Sequence, residues 1–237
     1  MGALLDRLYR GRGRGFAQRL RRLTRPAWLG TLRRTRPLSR YWGSDRGSPV
    51  DRYYIESFLQ RHRADIRGRV LEVKEPLYTR RYGSGVTAGD VLDIDAGNPQ
   101  ATVVADLAAA DGIPEGTYDC FVLTQTLQLV YEIRAAVAHA HRALRPGGVL
   151  LVTVPAASRI VDGTGHYGDF WRFTPASCKA LFGEVFGAEN ITVEAHGNVL
   201  ATIAFLTGMA REELSARELD DADPSFPLVL CVRAVRR

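Results

Sequence analysis

Three carboxylates follow successive apolar runs of the sequence that are predicted to be β-strands. Glu72 ends the first run, Asp95 ends the second, and Asp106 directly follows the third. In an open α/β sheet, ligands bind beyond the carboxyl ends of the strands, where side chains from neighbouring strands meet. A carboxylate after the second strand accepts hydrogen bonds from a ribose diol, and one after the third is placed to accept from an adenine amino group. The spacing therefore predicts a site for a nucleoside-containing ligand.

A glycine-flanked loop after the fifth predicted strand gathers side chains that could act on a substrate. It reads AASRIVDGTGHYGDFWRFT and is predicted to be a substrate-binding lid. His166 titrates near neutrality and could accept a hydroxyl proton, while Asp169 could be the base or orient the histidine. Trp171 could stack on a sugar face and Arg172 could bind an anionic group, with Tyr167 beside them as a further substrate contact. Alternatively, Asp169 and Arg172 form a structural ion pair and Trp171 packs the lid onto the body.

The elements that must position these residues alternate between strands and helices. Strands are predicted at 69–73, 90–95, 101–105, 118–124, 148–154, 190–195 and 228–235, and helices near 131–144, 175–187 and 199–215. Strands joined by crossover helices give a parallel sheet covered on both faces, with the last two strands expected as a hairpin-like antiparallel edge. His196 follows the sixth strand and is a further candidate for substrate binding.

The chain is predicted to divide into a basic arm, residues 1–39, and an α/β domain, residues 40–237. An early helix of this domain is expected to have Ser48 as its cap, Pro49 in its first turn and Asp51 completing a capping-box-like pattern.

The arm carries most of the basic charge. Residues 1–36 hold eleven arginines and one acid, a charge of +10, and since the whole chain carries +6, the remainder carries −4. Phe16, Leu20, Leu23 and Ala27 fall on one face of a helix. The arm is therefore a basic amphipathic helix on an anionic membrane surface, a docking segment for a protein partner, or a disordered tail. A nucleic-acid footprint would line the body's cleft, so nucleic acid is an unlikely partner.

Other features narrow the class of protein. No apolar run approaches the roughly 20 residues of a membrane-spanning helix, and the N-terminus does not resemble a signal peptide. Cytoplasmic residence is expected, with peripheral binding at the inner face of the membrane open through the arm. Cys120, Cys178 and Cys231 form no CxxC and no metal pattern, and they are expected to be buried, reduced thiols.

Four short motifs combine between residues 69 and 154. They are the acid-ended second strand at Asp95, Ala105-Asp106 after the third, Tyr118-Asp119 opening the fourth, and the LRPGG of 144–148 before the fifth. Together they resemble the class I S-adenosylmethionine (SAM)-dependent methyltransferases of the type 11 group. The resemblance implies a Rossmann-like, seven-stranded, mostly parallel sheet with an antiparallel last strand and helices on both faces. It also implies SAM as cofactor, with contacts expected from Glu72, Val73, Lys74, Asp95, Asp106, Leu107 and Gln125.

The turn after the first strand departs from this family. Glycines usually stand there and let the backbone approach the cofactor's methionine end, whereas this chain has Val73-Lys74-Glu75-Pro76. The Lys74 ammonium either pairs with the methionine carboxylate or fills the pocket. Glu72 would then take the methionine ammonium.

A looser resemblance bears on the substrate. Segments 40–60, 78–83 and 168–174 look like a bacterial subgroup associated with surface-glycan and secondary-metabolite clusters. This implies O-methylation of a sugar, a glycan or another small-molecule hydroxyl. The altered turn leaves open a non-catalytic methyltransferase-like partner module in glycan assembly. An RNA methyltransferase is disfavoured by the acidic body.

Overall fold

The computed structural model describes residues 19–20, 22–24, 30–109, 112–161 and 168–237. The chain divides into two units, residues 1–36 and 37–237. In the first unit, residues 19, 20 and 22–24 are helical, and the hydroxyl of Thr24 donates to the carbonyl of Leu20 over 2.9 Å. Phe16 and Ala27 of the predicted amphipathic face lie outside the described residues. The arm's predicted end at residue 39 and its partner stay predictions.

The second unit is built on a seven-stranded sheet of order β3-β2-β1-β4-β5-β7-β6. Strands β1 to β5 pair in parallel, and β7 runs antiparallel to both of its neighbours. The predicted mostly parallel sheet with an antiparallel last strand is confirmed. The strands are β1 Gly68–Val73, β2 Val86–Asp93, β3 Val103–Val104, β4 Tyr118–Thr124, β5 Leu144–Pro155, β6 Ile191–His196 and β7 Val229–Val235.

The last two strands form an antiparallel edge of the sheet, as predicted, with β7 beside β5 and β6 outermost. One detail of the predicted sheet was wrong. β2 ends at Asp93 and not at Asp95. Asp95 instead begins a turn, in which its carboxylate accepts a 2.8 Å hydrogen bond from the amide of Gly97.

Helices cover both faces of the sheet, as predicted. They are α1 Val50–Arg61, α2 Leu77–Tyr82, α3 Ile133–Ala143, α4 Pro175–Phe186, α5 Val199–Thr207 and α6 Ala216–Asp220. Alternate residues of a strand point to opposite faces. In β4, Phe121 therefore belongs to the core beneath α3 and α4, and Val122 to the core beneath α1 and α5. This double burial explains why the strands read as continuous apolar runs.

The start of α1 differs from the predicted cap. Pro49 is the N-cap residue and no side chain caps the helix. Ser48 instead pairs through its main chain, its amide donating to Glu212 over 2.9 Å and its carbonyl accepting from Arg211 over 2.8 Å. The backbone of Ser48 and Pro49 is thus held by a distant segment, which sequence spacing does not reveal.

The three cysteines are free and buried, which confirms their prediction as buried thiols. Burial raises the pKa of the Cys178 thiol to about 12. Across the parts of the chain that the structure describes, no helix is both long enough and apolar enough to cross a membrane.

Candidate functional site

A cavity of about 330 Å³ opens at the carboxyl ends of β1 to β4. The chain leaves β1 toward β2 on one side and returns to β4 on the other, so the cavity lies at the point where strand order reverses. Its size falls within the ~300–1,000 Å³ typical of small-molecule sites. The lining residues are Val73, Leu92, Asp93, Ile94, Ala105, Asp106, Leu107, Ala108, Thr126, Leu129, Val130, Tyr131, Glu132, Gly168 and Phe170.

Two carboxylates from neighbouring strands face this cavity. Asp93 ends β2, where its Oδ1 accepts from the amide of Asp95 over 3.0 Å and its Oδ2 accepts from Asn98 Nδ2 over 2.7 Å. Asp106 follows β3, and its Oδ1 accepts from the amide of Ala108 over 2.8 Å. These bonds fix both carboxylates without withdrawing them from the lining. The apolar walls between them are supplied by Leu92 and Leu107.

The predicted cofactor residues therefore separate into two groups. Val73, Asp106 and Leu107 line the cavity, whereas Glu72, Lys74, Asp95 and Gln125 do not. Asp95 is exposed and its carboxylate serves the turn at Gly97, so Asp93 is the strand-end acid that the cavity receives. In the sequence Asp93-Ile94-Asp95, either acid could have been the one that ends the strand. Because β2 ends at Asp93, the first of the two lines the cavity.

Lys74 adopts the backbone conformation that a glycine would supply. Its φ is +72°, in the left-handed region that side chains other than glycine rarely occupy. Its amide donates to the Leu92 carbonyl over 2.9 Å, and its own carbonyl accepts from Asn98 Nδ2 over 2.7 Å. The side chain is exposed and does not line the cavity. Pairing of its ammonium with a ligand carboxylate stays a prediction, and its alternative, filling of the pocket, is not observed.

Glu72 is 2% exposed and is used by α2. Its two carboxylate oxygens accept from the amides of Tyr78 and Thr79, each over 2.8 Å. These are free N–H groups of the first turn of the helix, where a negative charge is favourable. Burial raises the pKa of Glu72, while hydrogen bonds from Thr79 and Tyr78 oppose the shift. The carboxylate is thus committed to the turn after β1 and not to the cavity.

Gln125 is also not among the residues that line the cavity. Its φ is +47°, its amide donates to the Thr153 carbonyl over 2.8 Å, and its carbonyl accepts from Gln128 Nε2 over 2.8 Å. The following residue, Thr126, lines the cavity instead. The left-handed turn at Gln125 therefore offsets the cavity contact by one position from the predicted one.

The lid residues divide between described and undescribed positions. His166 and Tyr167 lie outside the described residues. Asp169 has a side chain that is 1% exposed, and it pairs with Arg172 at 2.5 Å while accepting from the amide of Val161 over 2.8 Å. Hydrogen bonding from Arg172 lowers the pKa of the Asp169 carboxyl. The structural ion pair, left open by the sequence, is present, and a carboxylate so stabilised is a weak base.

Trp171 packs the described end of the lid against the segment before α3. Its Nε1 donates to the Val130 carbonyl over 3.0 Å, and its ring stacks on Tyr131 with centroids 6.0 Å apart. Phe170 meets the same tyrosine edge-on at 5.3 Å. Tyr131 and Phe170 are 62% and 48% exposed and line the cavity mouth, whereas Trp171 and Arg172 line a separate hollow of about 250 Å³. Among the residues that the structure describes, Tyr131 and Phe170 are therefore the aromatic groups of the cavity lining.

His196 was predicted as a substrate contact but lies elsewhere. It ends the edge strand β6, bonds to Glu194 over 2.9 Å and stacks on Tyr54 of α1 with centroids 6.0 Å apart. Burial lowers its pKa. It is not among the residues that line the cavity, because β6 is separated from β4 by two strands.

Sequence reasoning missed Asp93, Thr126, Tyr131, Glu132 and Phe170 as cavity residues. The signal for Asp93 was present, since an acid stands at the end of an apolar run. Tyr131 and Glu132 precede α3 in a turn with no recognisable motif. Among the described residues, no group of histidines, cysteines and acids could hold a metal ion.

Comparison with known proteins agrees with this architecture. Residues 81–152 match the family model of a methyltransferase domain. A SAM-dependent methyltransferase from Archaeoglobus fulgidus superposes with a TM-score of 0.53 at 13% identity, covering 83% of this chain and 98% of that one. A putative SAM-dependent methyltransferase from Listeria monocytogenes gives 0.51 at 9% identity, covering 79% and 98%.

A phospholethanolamine N-methyltransferase 2 from Haemonchus contortus, in complex with phosphomonomethylethanolamine and S-adenosylhomocysteine, gives a TM-score of 0.51 at 13% identity, covering 80% of this chain and 54% of that one. No curated protein sequence matches the chain. The fold is that of the SAM-dependent methyltransferases, and at these identities the structural likeness concerns the fold.

Proposed function

We propose that this protein is a SAM-dependent methyltransferase whose cofactor occupies the cavity at the carboxyl ends of β1 to β4. One observation carries the proposal: Asp93 and Asp106, from neighbouring strands, line the same cavity. The match of residues 81–152 to a methyltransferase domain supports the same reaction class.

The residues present fit the chemistry of SAM. Asp93 is placed to accept from the ribose hydroxyls and Asp106 from the adenine amino group, between the apolar walls of Leu92 and Leu107. A third carboxylate, Glu132, lines the same cavity. The three acids that the described residues contribute to this cavity favour a cationic ligand electrostatically, and SAM is a sulfonium. When bound, SAM supplies an electrophilic methyl group.

The protein's own contribution to such a transfer is positioning and exclusion of water. Tyr131 and Phe170 form an aromatic mouth that can shield the reacting atoms. A hydroxyl acceptor also needs a base. We propose His166 for this role, with Glu132 of the cavity lining as the alternative, since the carboxylate of Asp169 is held by Arg172.

For the acceptor we propose a hydroxyl of a sugar, a glycan or another small molecule. The support is the aromatic mouth, where exposed faces of Tyr131 and Phe170 can pack against a sugar ring. Transfer of a radiolabelled methyl group to a panel of sugar, phenol and amine acceptors tests it. Methylation of amines with no transfer to hydroxyls would refute the O-methyl assignment and leave the cofactor assignment intact.

A non-catalytic methyltransferase-like module is the second candidate. It is favoured by the short connection from β1 to β2, where Lys74 replaces a glycine and α2 spans six residues. Such a module would keep the fold and lose the cofactor.

Calorimetric titration of SAM and of S-adenosylhomocysteine separates the two candidates. The enzyme is expected to bind both. Asp93→Asn should weaken SAM by about 1.5–3 kcal/mol, the range for a hydrogen bond to a charged group, which is tenfold or more in Kd. Asp95→Asn is the matched control, because it removes the same negative charge from an exposed residue two positions away. Absence of heat and of thermal stabilisation by either ligand would favour the module, and equal effects of the two substitutions would exclude Asp93 from the site.

A further inference from the structure

Helix α5 presents four of its five large apolar side chains to solvent, while Phe205 is buried. Its inward residues include Ala201 and Ala204, both fully buried. Its outward residues are 36–50% exposed and comprise Val199, Leu200, Ile203 and Leu206. A surface helix in water normally has the reverse arrangement, with its large apolar residues toward the core and polar ones outside. The sequence of α5, VLATIAFLT, contains no charged residue.

A neighbouring loop extends this surface. The carbonyl of Phe226 accepts from the hydroxyl of Thr202 over 3.5 Å, and the phenylalanine is 51% exposed. We call Val199, Leu200, Ile203, Leu206 and Phe226 together the α5 face. Such a contiguous apolar patch marks an interaction surface more often than a single exposed leucine does.

The first residues of the second unit bond to the C-terminal end of α5. The carbonyl of Thr207 accepts from the amides of Leu38 and Ser39, over 2.7 and 3.4 Å. Gly208 follows at φ +77°, and a Cβ there would lie 2.4 Å from the Ser39 carbonyl oxygen, so the approach is close. Leu38 and Ser39, which follow the eleven arginines of residues 1–36 in sequence, therefore lie at the C-terminal end of the apolar helix.

We propose that the α5 face docks on the surface of an anionic lipid bilayer. An apolar face inserts at the boundary between headgroups and acyl chains, and arginines are attracted to anionic headgroups. A segment of charge +10 that precedes this unit in sequence, together with an apolar face on the unit itself, matches both layers of such a surface. This inference is independent of the proposed methyl transfer.

The N-terminal end of α5 determines how the helix is expected to tilt against the bilayer. Asn198, the N-cap, donates to the Asp221 carbonyl over 2.6 Å, and the amide of Asp223 donates to the Gly197 carbonyl over 2.9 Å. Carboxylates are repelled by an anionic surface. The C-terminal end of α5, with Ile203 and Leu206, is thus expected to lie deeper than the N-terminal end.

A second copy of this chain is a weaker occupant. Stable interfaces use roughly 20–30 residues a side, whereas the α5 face consists of five partly exposed side chains. A bilayer imposes no such minimum, because insertion of a few side chains adds to electrostatic attraction.

Vesicle flotation with the full chain tests the proposal. The vesicles contain phosphatidylcholine with phosphatidylglycerol, or phosphatidylcholine alone. The wild type should float with the anionic vesicles, and Ile203→Gln/Leu206→Gln should lower partitioning about tenfold or more. The matched control is Leu77→Gln/Val104→Gln, which changes two side chains of 46% and 49% exposure elsewhere on the unit. It should float as the wild type does.

Two results would overturn the proposal. Wild-type flotation of Ile203→Gln/Leu206→Gln would assign binding to the arginines without the helix. A concentration-dependent dimer that this variant abolishes, with no vesicle binding, would assign the face to a second copy. Leu206→Cys guards against a folding defect in the double variant: a polarity-sensitive dye on this exposed thiol should shift its emission to the blue on anionic vesicles. The same dye at Val104→Cys should not respond, and the three native cysteines are buried.

Discussion

Asn98 donates from its Nδ2 to the main-chain carbonyl of Lys74 over 2.7 Å. The same nitrogen donates to Asp93 Oδ2, also over 2.7 Å. One amide therefore joins the turn after β1 to the acid that ends β2, and both elements border the cavity. The left-handed backbone at Lys74 and the placement of Asp93 depend on each other through this side chain.

Asn98→Ala is expected to weaken both folding and cofactor binding. The substitution removes three hydrogen bonds, one of them to a carboxylate, which corresponds to about 1–3 kcal/mol of unfolding free energy. SAM affinity should fall as well, because Asp93 loses the bond that orients it. Chemical denaturation and calorimetry measure the two effects. Asn190→Ala, which removes a bond to the Phe186 carbonyl, should lower stability and leave SAM affinity unchanged. If both variants bind SAM like the wild type, Asn98 has no part in the site.

Lys74→Gly is expected to preserve SAM binding and to leave stability unchanged or slightly raised. A non-glycine residue in the left-handed region costs about 1–2 kcal/mol, and glycine removes this cost while adding up to about 1 kcal/mol of unfolded-state entropy. Lys74→Val is the contrasting variant and should destabilise, since a β-branched residue tolerates this φ poorly. Thermal melts compare the two. A marked loss of SAM affinity in Lys74→Gly would show that the ammonium pairs with the cofactor.

Glu72→Gln is expected to lower the free energy of unfolding by about 1–3 kcal/mol. The glutamine oxygen can accept from one of the two N–H groups of α2, but its NH₂ group then faces the other N–H, and two donors cannot bond. The folded-state pKa of Glu72 is raised, chiefly by burial. The stabilisation that protonation of Glu72 contributes is fully present below the unfolded pKa of about 4.3. It is lost as pH rises through the folded pKa. The advantage of the wild type over Glu72→Gln should therefore grow as pH falls. Denaturation of both proteins across this range tests the sign, and an advantage that shrinks with acid contradicts it.

Asp169→Asn is expected to show the opposite pH dependence. Its folded pKa is lowered by Arg172, so the stability it contributes is present above the unfolded pKa of about 3.9 and is lost as pH falls through the folded pKa. The variant should be about 1–3 kcal/mol less stable at neutral pH, and the gap should close in acid. Glu184→Gln, from an ion pair whose side chains are 73% and 60% exposed, is the control and should change stability little. A gap that persists in acid would show that the ion pair does not cause it.

Most of the sheet was predictable because burial on both faces forces long apolar runs. All seven strands lie where the sequence places them, within a few residues, and the last two form the predicted antiparallel edge. The order of β6 and β7 within that edge depends on the pairing of β7 with β5, which leaves no mark in local periodicity. The end of β2 was missed because Asp93 and Asp95 alternate with Ile94, and the turn bond to Gly97 decides between them.

The candidate site was less predictable because its contacts are non-local. Lys74 gives no hint of a left-handed backbone, since a glycine would be the usual sign. The bond from Asn98 to the Lys74 carbonyl joins positions 24 residues apart. The ion pair of Asp169 with Arg172 is local, three residues apart, and was for that reason already visible as an alternative.

The insertion of β7 between β5 and β6 has a consequence for synthesis of the protein. Strand β6 bonds to β7 and not to β5. Until Val229–Val235 has left the ribosome, β6 therefore has no strand partner and β5 is paired on its β4 side alone. A nascent chain paused ahead of residue 229 displays two open strand edges, which are the templates that aggregation uses and that chaperones cover. Translation speed over the preceding codons thus bears on the yield of this fold.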